Sequence, residues 1–358
     1  MCALIVPDIK ALQNTKDHET IKIGLLIADN KSLAAKHGAE MAIRSANEKG
    51  GFNGLTFQLV VRSMEGPWGT GSKQAVNLIF DEEVWAIVGS HDGRNAHLVE
   101  QVATKARIVF LSTWARDPTL SQAFVPWYFS CVPNDNQQAD VLIEEIYNRR
   151  NFIKVAAVSD NSYDSKLALK SFVKKTKAAG KTDPLLLFYE NTAQDLSDLP
   201  DKINKTGAGC VILFTQPSSS MKLIRQIRSE KMNLPVYGSL ALLDENQFSN
   251  KELMYYENVV FASSENWLSP KGLAFREEYQ RRYGNIPGAV AAYAYDGMNL
   301  IIEAIRNAGL DREKIQKSLK RINFEGVTGP IQFDDKGNRI GNAGLIEIKN
   351  SIPLPVRR

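Results

Sequence analysis

The chain has 358 residues, 44% of them hydrophobic, more apolar material than one core usually organises, so two domains of ordinary size are expected. Lys and Arg total 44 against 40 Asp and Glu, and the net charge of +4 is spread along the sequence, which argues against nucleic acid as a partner. Three cysteines, Cys2, Cys131 and Cys210, show no Cys-x-x-Cys spacing, so neither a zinc site nor a dense disulfide framework is expected.

Residues 1–20 read as a leader without regular structure. The opening MCALIVPDIKALQ reads as the stump of an export signal or as the place of a lipidated Cys2, and the sequence leaves both open. No apolar run reaches the length of a membrane span. From residue 21 short β-rich runs alternate with longer amphipathic ones: IKIGLLIA at 21–28, a helix to about 48, LTFQLVVR at 55–62, a helix over 72–80, WAIVG at 85–89, a helix over 95–105 and IVFLS at 108–112. This is βαβ grammar and predicts a parallel sheet, here of four strands.

After the Pro-bounded DPTLSQAFVPWYFSCVP the pattern restarts, with helices over 137–148, 163–178, 199–205 and 219–230. Strands are read at 153–159, 185–190, 210–215 and 235–239. Cys131 and Cys210 fall in apolar strand-like runs and read as buried free thiols. Two successive helices, 272–283 and 290–308, then break the alternation and cannot simply extend the second sheet. The expected fold is therefore α/β, two doubly wound parallel-sheet lobes joined by three chain passages. Lobe I takes 21–131 and 264–326, lobe II takes 132–263 and 327–358, and Gly326 and Gly329 mark a hinge.

Several stretches together resemble the leucine/isoleucine/valine-binding family of the type I periplasmic-binding fold. They are IKIGLLIA with KHGAEMAIRSANEKGGFNG, IVGSHDGRNAHLVEQVATKARIVFLS, VAAVSDNSYDSKLALKSFVKKTKAAG, AAYAYDGMNLIIEAIRNAG and VTGPIQFDDKGNR. The likeness runs from about residue 21 to 348. It implies a monomeric, periplasmic or cell-surface protein, not an enzyme and without cofactor, that passes a small molecule to an ABC transporter permease.

In open parallel sheets ligands sit beyond the carboxyl ends of strands, where helix N-termini favour anionic groups. That singles out the loops Ser90-His91-Asp92-Gly93-Arg94 and Thr113-Trp114-Ala115-Arg116-Asp117. By the resemblance, Gly93 stands about where a Ser meets the ligand carboxylate, and Arg116 about where a Thr does. Tyr163 fits the second lobe's aromatic contact, and Leu240 replaces the acid that holds the ligand ammonium. Asp92 could supply that charge, or Asp244 or Glu265 if their loops reach the cleft. Trp68, Trp114 and Gln216 complete the expected lining, whereas Trp127 and Trp267 fit packing at the lobe passages. The ligand expected from these residues carries a carboxylate or amide, aimed at Gly93 and Arg116, on a flat or apolar body.

Enzymatic alternatives fare poorly. Gly180-Lys181-Thr182 closes a helix where a phosphate loop should open one, and no G-x-G-x-x-G or G-x-S-x-G occurs. His91 and His97 are six residues apart, off a common helix face and without a third ligand, so a metal site is not expected. A sensory ligand-binding module on the same fold is the rival reading, because fold alone does not separate transport from sensing.

Overall fold

The computed structural model describes residues 20–122, 125–190, 193–263, 268–341 and 343–356. Cys2, His18, Glu265 and Trp267, on which expectations rested, lie outside the described residues. In the first lobe the chain runs β1 (Thr20–Ile27), α1 (Leu33–Glu48), β2 (Thr56–Ser63), α2 (Thr70–Val76), β3 (Ala86–Ser90), α3 (Gly93–Lys105), β4 (Val109–Ser112) and β5 (Tyr128–Ser130). The strands form one parallel sheet in the order β2-β1-β3-β4-β5. β3 and β4 are buried throughout, as a sheet covered on both faces requires. β5 is a strand beyond the four expected; three residues inside a Pro-bounded stretch are too short for any periodic signal, and pairing with β4 specifies them.

The second lobe follows with α4 (Asp135–Ile143), β6 (Val155–Ser159), α5 (Tyr163–Ala178), β7 (Leu185–Phe188), α6 (Ala193–Thr206), β8 (Cys210–Phe214), α7 (Pro217–Ser229), β9 (Val236–Gly238) and β10 (Val259–Ser263). Local chemistry sets the helix starts. Asn134 and Gln137 form a reciprocal capping box on α4, and Ser162 caps α5 through Ser165 N–H. α6 begins six residues earlier than expected, because the helix continues through Pro200.

The chain then returns to the first sheet with α8 (Pro270–Tyr283), α9 (Ala289–Ala308) and α10 (Arg312–Lys320). α9 is almost wholly buried and lies against α1 so closely that a Cβ on Gly38 would stand 2.2 Å from the Ala291 carbonyl oxygen. A hairpin of β11 (Phe324–Gly326) and β12 (Gly329–Ile331) follows, then β13 (Gly344–Lys349) and β14 (Ile352–Pro355), which pair antiparallel with β10 and with each other. The second sheet thus reads β14-β13-β10-β9-β8-β6-β7. Cys131 and Cys210 are buried and free, and burial pushes both thiols up to about 12.

Gly326 and Gly329 close the β11–β12 turn and do not form the third passage between lobes. Beyond them Ser130 of β5 still bonds Gly337 and Arg339, so the chain leaves the first sheet only between Arg339 and Gly344. A buried polar network fixes this region. Asp296 of α9 accepts from Val327 N–H, Thr328 N–H and Thr328 Oγ1 at 2.9, 2.8 and 2.6 Å. Arg339 donates to the carbonyls of Cys131, Thr328 and Pro330 at 2.9, 2.8 and 3.0 Å. The guanidinium thereby ties the first and third passages together. Arg339→Ala leaves those buried carbonyls unpaired and should lower unfolding free energy by about 2 to 4 kcal/mol, read by urea denaturation.

Candidate functional site

The carboxyl ends of β3, β4, β6, β8 and β9 face one another across the lobes and enclose a cavity of about 150 Å³. An apolar cavity of about that size holds benzene, so the space suits a molecule with a handful of heavy atoms. Its lining comes from both lobes. Ser90, His91, Asp92, Trp114 and Arg116 belong to the first, while Asp164, Phe214, Gln216, Ser239 and Asp244 belong to the second.

The expected site residues divide accordingly. Asp92, Trp114, Arg116 and Gln216 line the cavity. Asp92 also caps α3, accepting from Asn95 N–H at 2.9 Å and from the Asn95 amide at 2.7 Å. Gln216 opens α7 and gives its N–H to buried Asp160 at 3.0 Å. Trp68 and Arg94 do not line it: Trp68 is 63% exposed, with the Arg94 guanidinium 4.0 Å above its ring. Thr113 is fully buried and spends its hydroxyl on the Gly89 carbonyl at 3.1 Å. Leu240 is likewise fully buried, its N–H bonded to Gln138 Oε1 at 2.9 Å. The acidic side chain that the loop after β9 brings to the cavity is Asp244, four residues on, because that loop folds back into the cleft through short 3₁₀ turns.

Gly93 and Tyr163 are taken up by bonds between the lobes. Gly93 N–H donates to Asp164 Oδ1 at 3.1 Å, and Arg116 Nη2 stands 3.6 Å from Asp164 Oδ2. Arg116 is held in place by the Trp114 carbonyl at 2.8 Å and by stacking over the Trp114 ring at 5.0 Å. Asp164 was not expected from the sequence. Its only local signal was an acid in the first turn of α5, where the helix dipole favours one. Burial raises its carboxyl to about 6, against the pull of Arg116.

Two further contacts cross the cleft. Glu245 of the second lobe accepts from Gly288, Val290 and Ala291 N–H at 3.0, 2.9 and 2.8 Å, capping α9, and Asn246 accepts from Ala34 N–H at 3.1 Å, capping α1. Burial raises Glu245 to about 7 and Asp244 above the ordinary carboxylate range. Tyr163 donates to Asp117 Oδ2 at 3.0 Å, and His97 Nε2 meets the same oxygen at 2.9 Å. The bond to Asp117, aided by Glu100, raises His97 to about 9.

His91 is 1% exposed and neutral, since burial lowers its pKa. Its Nδ1 faces the Asp92 carbonyl at 3.2 Å and must therefore carry the proton, so Nε2 is an acceptor, and it has no protein partner among the described residues. Among the described residues there is no group of three or more side chains that could hold a metal ion, and no helix is long and apolar enough to cross a membrane.

A family model described as periplasmic binding protein matches residues 20–349. The chain belongs to the periplasmic binding protein family. A leucine-, isoleucine-, valine-, threonine- and alanine-binding protein of Pseudomonas aeruginosa is 24% identical over 340 residues, covering 89% of this chain and 87% of that protein. Glutamate receptor 3.4 of Arabidopsis thaliana is 20% identical over 94% of the chain, which spans only 40% of the receptor's length. Among solved structures, the branched-chain amino acid transporter substrate-binding protein LivJ of Streptococcus pneumoniae, in complex with isoleucine, superposes with a TM-score of 0.82 at 22% identity. It covers 95% of this chain and 100% of that one. The fold is thus the type I periplasmic-binding fold, built from two parallel-sheet lobes.

The His97–Asp117 pair gives this periplasmic binding protein a pH signature. His97 binds its proton more tightly folded than unfolded, so its contribution to stability is complete below its ordinary 6.5 and is lost as pH rises through about 9. Melting temperature measured from pH 6 to pH 10 should fall over that window, and His97→Gln should flatten the fall.

Proposed function

We propose that the protein is an extracytoplasmic solute-binding protein that closes its two lobes on a small organic molecule and delivers it, as a monomer, to an ABC transporter permease. One observation carries this reading: the cavity is walled by strand ends of both lobes, and hydrogen bonds between the lobes close it. Such contacts exchange with water at a modest net cost of about 1 kcal/mol each, so the lobes can part and admit a solute. Asp92, Trp114, Arg116, Asp164, Gln216 and Asp244 are the residues assigned to the site.

A ligand-binding module of a receptor is the second reading, favoured by the match to part of a plant glutamate receptor. Both readings require capture and closure. Screening a solute library by native mass spectrometry and thermal shift should find a binder that stabilises the fold by about 2.7 kcal/mol at a hundred times its dissociation constant. The same solute should compact the small-angle scattering envelope. A library without a binder, or a binder that leaves the envelope unchanged, contradicts hinged capture.

A further inference from the structure

Asp164 belongs to the second lobe, yet its carboxylate ends on the first, on Gly93 N–H and beside Arg116. These are the two groups toward which a ligand carboxylate was expected to point. The protein's own carboxylate fills that seat, and the fit leaves no slack: a Cβ on Gly93 would lie 3.0 Å from Asp164 Oδ1 and 2.8 Å from Asp117 Cβ.

The rest of the wall carries two more carboxylates. Asp92 and Asp244 line the cavity, and each is already oriented by neighbouring amides, Asn95 for the first and Asn246 with Gln247 for the second. Three lining carboxylates against one guanidinium leave a formal charge of −2, since lining His91 is neutral. A ligand carboxylate entering this space meets Asp92 and Asp244 unless Asp164 first swings out. A cationic ligand carrying N–H donors matches these carboxylates.

We propose that the cavity takes a small organic cation without a carboxylate, a primary amine or an amidinium, and that Asp164 sets this preference by occupying the carboxylate seat between Gly93 and Arg116. The proposal rests on the solute-capture reading and narrows it. Asp164 acts as a specificity-determining residue through exclusion: an incoming acid must displace it, whereas an incoming cation gains from it.

The test uses matched pairs that differ only in the carboxylate: leucine with 3-methylbutylamine, phenylalanine with 2-phenylethylamine, and arginine with agmatine, titrated calorimetrically at pH 8 into the full chain. At least one amine should bind about tenfold or more tightly than its parent amino acid. Asp164→Ala should reverse that preference by freeing Gly93 N–H and Arg116, while Asp244→Asn should weaken the amine about tenfold or more. An amino acid that binds the wild-type protein as tightly as its amine overturns the inference and leaves solute capture standing. So does silence of all three amines while another solute of the library binds. Silence of the whole library sinks both. Should Asp164→Ala fail to fold, the Asp244→Asn arm decides alone, and an unchanged amine affinity there counts against the inference.

Discussion

Three helix N-termini of the first lobe, those of α1, α3 and α9, each receive a polar side chain from the second lobe: Asn246, Asp164 and Glu245. The first turn of a helix leaves backbone N–H groups without partners, and its dipole favours negative charge there. The second lobe satisfies that requirement for the first. Because the capping groups come from across the cleft, closing the lobes and completing the helix ends are one event, and the cavity is the volume left between them.

The closing contacts and the passages between lobes differ in kind. At the passages, Asp296, Thr328 and Arg339 form a buried network that reaches the Cys131 carbonyl, and removing a member strands groups that water cannot reach. At the cleft, Tyr163, Glu245 and Asp164 bond to groups that water can replace when the lobes part. A firm joint and an exchangeable seam are what a protein needs in order to open and close without unfolding.

The strand and helix alternation was legible because buried parallel strands such as β3 and β8 are short, continuous apolar runs and the helices between them carry their own caps. β5 and the β11–β12 hairpin were not, since three-residue strands carry no period and are defined by their partners. In the cleft, strand-end loops did point to Asp92, Trp114, Arg116 and Gln216, because strand ends are where side chains converge. Spacing placed Leu240 in the acid's position, but the 3₁₀ turns after β9 bury it and carry Asp244 to the wall instead. Asp164 was unreadable because its partners Gly93 and Arg116 are more than forty residues away in sequence and meet it only when the lobes close.

With its anion seat filled from within, the cleft departs from what a zwitterionic ligand would need, although the scaffold is that of the amino acid-binding proteins. Arg116, the one cation among the lining side chains, is committed to an internal partner, and the remaining charge is negative. A crystal structure of the protein with a captured solute tests this arrangement most directly. The Asp164 carboxylate should remain on Gly93 N–H and Arg116, with a nitrogen of the solute turned toward Asp92 or Asp244. A solute carboxylate seated on Gly93 N–H, with Asp164 turned out of the cleft, would contradict it.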